Sequence, residues 1–352
     1  MEIWSKSRIM DEKMKAAICK KPFEISIEEV PTPMPGPDEL LIQVKASAIC
    51  GSDIKAYEGK HPLIRLPLIL GHEFSGVIVD KGTAVEGLRV GDRVVVEPSS
   101  VCGECFFCQR MEYSLCENLK QLGHQLPGSF AEYTLSKAKF TYRLPNTIAF
   151  EKAALIQPLA ISIHAADRAG IRNGMNVVIL GMGPIGLLLL QVVRKRGARV
   201  LVSDLVDFKL EKATSLGADW ICHGSDPRIE EKVRDWTQGR GADIVIEAAG
   251  SSATIRQSFS FARRGGTILL LGITGHEKEE VPLERVTLDE LNVLGTVRYG
   301  MGDFPRAIEM IHQQMVDLDS IITRRFGITD LPEVFRETIH SPERMLRSVM
   351  VA

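Results

Sequence analysis

Long apolar runs are missing from this chain. The longest stretches, such as Ile185–Val193, cover nine residues, against the ~20 that a helix needs to cross a bilayer. A membrane-spanning helix is therefore not expected. An excess of one charge is missing too. Lys and Arg number 43 and Asp and Glu 45, a formal net charge of -2. Such a balance gives no general attraction for nucleic acid or for an anionic membrane. The opening MEIWSKSRIMDEKMK mixes both charge signs and has no continuous apolar segment, so a secretory signal is not expected. Residues 1–13 read as a poorly ordered extension before a strand at Lys15–Cys19. No internal repeat and no low-complexity tract interrupts the chain, which excludes a solenoid.

What is present describes an ordinary globular protein of more than one core. Hydrophobic residues make up 45% and charged residues 25% of 352, a length that implies two domains. Four of the seven cysteines, Cys102, Cys105, Cys108 and Cys116, stand in the run CGECFFCQRMEYSLC. This C-x2-C-x2-C-x7-C spacing suits one tetrahedral zinc, because short C-x2-C turns present their thiolates to one point. Four thiolates leave no open position, so this zinc would staple a loop over about residues 98–120. Metal-bound thiolates fit a reducing, cytoplasmic setting better than disulfides do.

The pattern along the chain changes near Gln157. Before it, short apolar runs recur at Leu40–Val44, Gly76–Val79 and Arg93–Glu97, punctuated by Gly and Pro. That spacing predicts a β-barrel-like domain. After a helix at Ile161–Gly170, strands and helices alternate. Strands are expected at Asn176–Gly181, Arg199–Ser203, Asp243–Glu247, Thr267–Leu271 and Asn292–Val297, and helices at Pro184–Arg196 and Phe208–Leu216. Continuous apolar strands between helices predict a parallel sheet covered on both faces. An amphipathic helix at Phe304–Met315 and a segment at Asp317–Phe326 follow. The tail is expected to rejoin the first domain, giving residues 1–157 and 298–352 against 158–297.

The stretch GMGPIG carries G-x-G-x-x-G at Gly181, Gly183 and Gly186, with Pro184 and Ile185 between. It follows a strand, opens a helix, and precedes Asp204 at the end of the next strand. In that context it is a dinucleotide-binding fingerprint. The helix N-terminus would face the pyrophosphate. Asp204 would accept the ribose hydroxyls and repel a 2′-phosphate, which favours NAD over NADP. Lys209 either reaches the adenosine ribose or lies on a solvated helix face.

A second ligand set lies upstream: Cys50 in ICGSD, and His72 and Glu73 in LGHEFSG. Thiolate, imidazole and carboxylate together suit a catalytic zinc with an open position. With Gly91-Asp92-Arg93-Val94, the four-cysteine run, GMGPIG and Arg298-Tyr299, these motifs make the chain resemble the zinc-dependent medium-chain alcohol dehydrogenases, in their sorbitol (polyol) dehydrogenase branch. The resemblance runs from about Lys15 to the C-terminus. It implies an α/β plus β-barrel fold, with a GroES-like catalytic domain, an inserted Rossmann domain and a cleft between them. It further implies two Zn²⁺ per chain, NAD, a small alcohol or ketone substrate, and a homodimer or homotetramer.

Residue by residue, Cys50 and His72 resemble the catalytic zinc ligands, and Glu73 the neighbouring carboxylate. Ser52 resembles the hydroxyl that passes the alcohol proton outward, and Asp53 the group that orients the histidine. Arg298 and Tyr299 resemble polar contacts to a polyol. Two departures stand out. Gln157, in Leu155-Ile156-Gln157-Pro158-Leu159, replaces a glutamate that binds zinc or its water. A neutral side chain there leaves the shell less negative and the zinc a stronger Lewis acid. Lys55 and Ala56 stand where the branch often has histidine and tyrosine, which suggests a substrate carboxylate or phosphate near Lys55 or Lys60.

Other readings compete. A threonine-dehydrogenase-like amino alcohol oxidoreductase would share the Cys, His-Glu and four-cysteine pattern. A non-catalytic NAD- and zinc-binding protein is a remote alternative. A zinc-ribbon nucleic-acid binder lacks the basic face it would need. An iron–sulfur protein is disfavoured by the seven-residue fourth gap and the absence of a following Cys-Pro.

Overall fold

The computed structural model describes residues 13–275, 278–341 and 345–352. The extension expected at residues 1–13 lies outside them except for Lys13, which begins a strand. The chain divides into two compact units. One comprises residues 1–157, 304–313 and 322–352; the other comprises 158–303 and 314–321.

The first unit is β-rich. Its main sheet has seven strands. Along one path they run Thr141–Arg143, Arg93–Val96, Glu73–Lys81, Glu39–Ala48, Arg347–Val351 and Ile322–Phe326, and Tyr133–Lys137 pairs separately with Glu39–Ala48. A three-stranded sheet sets Lys13–Lys21 between Glu24–Pro31 and Leu68–Ile69. Leu40, Ile42, Val44, Phe74, Ile78, Val94, Val96, Phe130 and Phe335 fill the core. The strands Glu39–Ala48 and Glu73–Lys81 lie antiparallel, with Ala48 opposite Glu73. That register brings the end of one strand, just ahead of Cys50, beside the start of the other, which carries Glu73.

The second unit is a six-stranded, all-parallel sheet. Its order is Trp220–His223, Arg199–Asp204, Asn176–Leu180, Ala242–Glu247, Ala262–Leu270, Asn292–Gly295. In chain order this is 3-2-1-4-5-6, the doubly wound arrangement. Every residue of Asn176–Leu180 is buried, as expected of a strand covered on both faces. Val178, Leu180, Leu201, Val245, Phe259, Ile268 and Trp236 make its core.

Three features differ from the sequence expectation. A strand at Trp220–His223 and helices at Ile229–Trp236 and Ser252–Phe261 complete the second unit. Trp220 and Ile221 are half-exposed on the edge of the sheet, and the apolar run there, Trp220–Cys222, is only three residues long. Strand Ala262–Leu270 begins five residues before the expected Thr267, and its pairing shifts register between Ala242 and Ile244; Gly265 and Gly266 fall inside that irregularity, where glycine is usual. Finally, residues 298–303 and 314–321 belong to the second unit rather than the first. Gln191 holds the later segment, donating to the Asp317 carbonyl at 3.2 Å and accepting from the Asp317 amide at 2.6 Å. Asp303 lies 3.3 Å from His164 of the same unit.

Candidate functional site

Among the described residues, two groups of possible metal ligands have donor atoms mutually within 4.8 Å: Cys50, His72 and Glu73, and Cys102, Cys105, Cys108 and Cys116. The first set is assembled by one buried carboxylate. Cys50 precedes the helix Gly51–Tyr57, and Asp53 sits in its first turn. Asp53 Oδ2 accepts from the Cys50 amide at 2.8 Å, and Oδ1 accepts from the Gly71 amide at 3.1 Å. Asp53 therefore ties the cysteine turn to the Gly71–His72 segment that leads into the strand Glu73–Lys81. The same Oδ1 lies 3.6 Å from His72 Nδ1, which leaves Nε2 for the shared point, the arrangement expected behind a metal-bound histidine. Asp53 is 0% and His72 3% exposed.

Electrostatics prepares this set. Burial alone pushes the Cys50 thiol up, but the neighbouring His72 and Arg347 outweigh it and bring it down to about 5. A thiolate is the form that binds metal. Burial pushes the Glu73 carboxyl well above the usual range, against the pull of Arg347. Arg347 Nη2 lies 2.8 Å from Glu73 Oε1, and its Nη1 donates to the Ile49 carbonyl at 2.7 Å. Both partners are buried. Sequence reasoning missed Arg347, since no local pattern marks a single arginine so far along the chain. Counting it changes the charge sum. Zn²⁺, the Cys50 thiolate and the Glu73 carboxylate would cancel, and Arg347 offsets the buried Asp53 carboxylate, so the whole group is neutral.

Two more polar atoms, Ser52 Oγ and Gln157 Oε1, are buried without a hydrogen-bond partner among the described residues. Orphaned buried oxygens are costly unless something else meets them. His124 was also missed by the sequence reading. Its ring lies 4.9 Å from His72 and 5.1 Å from His61. Lys55, one helical turn beyond Ser52, is exposed. Lys60 pairs with Glu58 at 3.0 Å.

The four-cysteine set fits a tetrahedral ion by its spacing. All seven cysteines are free. Cys102 Sγ lies 3.9 Å from Cys108 Sγ and 3.6 Å from Cys116 Sγ. Four sulfurs at ~2.3 Å from one zinc would be ~3.8 Å apart. Backbone amides of Glu104 and Cys105 lower the Cys102 thiol to about 6.

The glycine loop of the second unit has the shape of a dinucleotide cradle. Gly181 has φ 98°, and a Cβ there would fall 2.8 Å from the Ala249 nitrogen. A Cβ on Gly186 would meet the Gly181 carbonyl oxygen at 2.0 Å, whereas Gly183 faces open space. The fold itself requires the first and third glycines. The second is left free for a ligand to approach. The helix Pro184–Lys195 starts at Gly183 with Pro in its first turn and no side-chain cap, so its first amides are free for phosphate. Asp204 Oδ2 accepts from the Met182 amide at 2.7 Å, and Oδ1 accepts from the Val206 amide at 3.0 Å. Asp204 thus braces the loop as well as facing the cofactor position, and its remaining lone pairs can still accept hydroxyls. Lys209 Nζ stands 4.0 Å from Asp204 Oδ1. Arg298, at φ 55°, and the buried Tyr299 follow the strand Asn292–Gly295 in this unit.

With these geometries in view, comparison with known proteins defines the class. Residues 36–146 match the alcohol dehydrogenase GroES-like domain, and residues 184–313 match the zinc-binding dehydrogenase domain. The chain belongs to the zinc-dependent medium-chain alcohol dehydrogenase family, in its sorbitol dehydrogenase-like branch. It is 32% identical over 345 residues to sorbitol dehydrogenase of Bacillus subtilis, covering 97% of each chain. Among solved structures, an alcohol dehydrogenase from Escherichia coli complexed with NADH superposes with TM-score 0.91 at 30% identity, covering 97% of this chain and 100% of that one. A zinc-binding dehydrogenase from Sinorhizobium meliloti bound to NADP gives TM-score 0.89 at 33% identity, with the same coverage. The fold is therefore a GroES-like domain with a Rossmann domain, and the protein is an oxidoreductase of the zinc and nicotinamide type. No helix among the described residues is long and apolar enough to cross a membrane.

Proposed function

We propose that this enzyme transfers hydride between a secondary alcohol, of the polyol or sugar-acid kind, and NAD. The observation that carries the proposal is the convergence of Cys50, His72 and Glu73 donor atoms within 4.8 Å, beside a buried Ser52 hydroxyl that has no partner among the described residues. A zinc ion held by those three side chains would supply the Lewis acidity that lowers the pKa of an alcohol hydroxyl. Asp53 holds His72 in one orientation. Ser52 Oγ takes the hydroxyl proton and passes it toward solvent. A nicotinamide cofactor held by the Gly181–Gly186 loop and Asp204 would accept the carbinol C–H as hydride, leaving the carbon as a ketone. Gln157 offers a neutral oxygen toward the same centre. Arg298 and Tyr299 are assigned to polyol hydroxyls, and Cys102, Cys105, Cys108 and Cys116 to a second, structural zinc.

The preference for NAD rests on Asp204, whose carboxylate disfavours a 2′-phosphate. Thiolate ligands fit the reducing cytoplasm, and a homodimer or homotetramer is the expected assembly. The decisive assay is a panel of polyols, sugar acids, amino alcohols and the matching ketones with NAD and NADP. Turnover of secondary polyols with NAD supports the reading; turnover confined to L-threonine-like amino alcohols replaces it. One feature favours a charged substrate within the same reading. Lys55 lies on the exposed helix face one turn from Ser52, where positions three apart are neighbours. Sugar phosphates or sugar acids outcompeting neutral polyols, with the preference lost in K55A, is the expected result.

A further inference from the structure

Far from the glycine loop, the second unit has a cavity of about 600 Å³ lined by five arginines: Arg234, Arg240, Arg263, Arg264 and Arg285, with Asp289 as the acidic residue of its wall. The cavity lies where the strands Ala242–Glu247 and Ala262–Leu270 begin, while the glycine loop follows the end of Asn176–Leu180. These strands run parallel, so the two places are at opposite edges of the sheet, ~20 Å apart for six residues at ~3.3 Å each.

Carboxylates neutralise only part of this charge. Asp289 lies 3.0 Å from Arg285 and 3.2 Å from Arg264. Asp243 accepts from Arg263 at 2.7 Å, and Glu230 from Arg234 at 3.1 Å. Five cations against three anions leave an excess of two, on a chain whose overall charge is -2. The side chain of Arg240 makes no hydrogen bond or ion pair among the described residues. Arg264 is 88% exposed. Other guanidiniums are held in place: Arg285 also donates to the Ala262 carbonyl at 3.1 Å, and Arg263 to the Arg264 carbonyl at 2.7 Å. The wall is closely built. A Cβ on Gly241 (φ 88°) would fall 2.9 Å from the Arg263 amide nitrogen. Fixed guanidinium forks match phosphate and carboxylate oxygens in pairs. The volume is that of a small-molecule site rather than a flat macromolecular patch.

We propose that this arginine cavity is a second anion site, binding a small molecule with two or more phosphate groups independently of the dinucleotide. The test uses the full chain at low ionic strength, titrated calorimetrically with inorganic tripolyphosphate and, separately, with ADP, each with and without saturating NAD. One site per chain that persists with NAD present is expected. The exposed pair R240A/R264A should weaken it by at least about tenfold and leave turnover without the anion unchanged. Tighter ADP binding would assign an organic phosphate, and tighter tripolyphosphate binding an inorganic one. Three results overturn the proposal: no saturable binding at millimolar anion, equal binding by the double variant, or binding that NAD abolishes.

Discussion

Each of the three motif glycines answers to a different neighbour. A Cβ at Gly186 would collide with a backbone oxygen at 2.0 Å, whereas one at Gly183 meets nothing within 4 Å. G183V should therefore fold with an unchanged melting temperature and lose at least about tenfold in NAD affinity. G186V should fail to fold as a compact domain. Fluorescence titration of NAD beside thermal melts separates the two, and a G183V enzyme that binds NAD normally would remove the dinucleotide reading of the loop. At the metal set, Arg347→Met leaves Glu73 buried without its cation. Breaking one side of a buried pair costs about 3–5 kcal/mol, so chemical denaturation should show a loss of that order, with zinc retention reduced. The Cys50, His72 and Glu73 set was legible from Cys-Gly-Ser-Asp and Gly-His-Glu because those residue types are rare neighbours. Arg347, His124 and the bracing role of Asp204 were not, since each acts through a partner distant in sequence.

Short elements do the positioning. The seven-residue helix Gly51–Tyr57 carries Ser52, Asp53 and Lys55 within four residues, so one turn of backbone sets the proposed proton acceptor, clamp and cation together. Removing the clamp charge in D53N should lower activity or zinc affinity by about 10–100-fold, read as kcat and as metal content after dialysis. The lobe around Cys102–Cys116 has little regular structure beyond Phe106–Gln109 and Tyr113–Leu115. Its order is therefore expected to depend on the proposed structural zinc. C105S should halve the zinc from about two to about one per chain while the Cys50 site keeps its metal; elemental analysis giving two ions in that variant would reassign the lobe. Most periodic elements of the second unit were legible to within a residue or two, because buried parallel strands are continuously apolar; the strand from Ala262 and the helix from Ile156 each begin five residues before their expected starts at Thr267 and Ile161. The edge strand Trp220–His223 was not, because its side chains face a less apolar setting.

For the molecule as a whole, ligands that bind only the folded state should stabilise it. NAD at about 100 times its dissociation constant should add about 2.7 kcal/mol, seen as a rise in melting temperature that NADP reproduces less well if Asp204 selects the cofactor. Chelation should move the transition the other way. Light scattering that gave only monomers would remove the proposed oligomer without touching the chemistry.

The two-unit plan was visible as a change of periodicity at Gln157, but the return path of the chain was not. Residues 298–303 and 314–321 follow side chains such as Gln191 and His164, whose partners no local pattern announces. The amino-acid sequence alone determined the chemistry on offer: which ligands, which loop, which cofactor class. Those signals are local, because a metal or a phosphate is gripped by residues a few positions apart. Only the tertiary structure decided the charge of the metal set and the existence of the arginine cavity. Arg347 meets Ile49 across 298 residues, and the five arginines gather from two helices, one strand and the loop at Arg240, so both depend on how the chain packs.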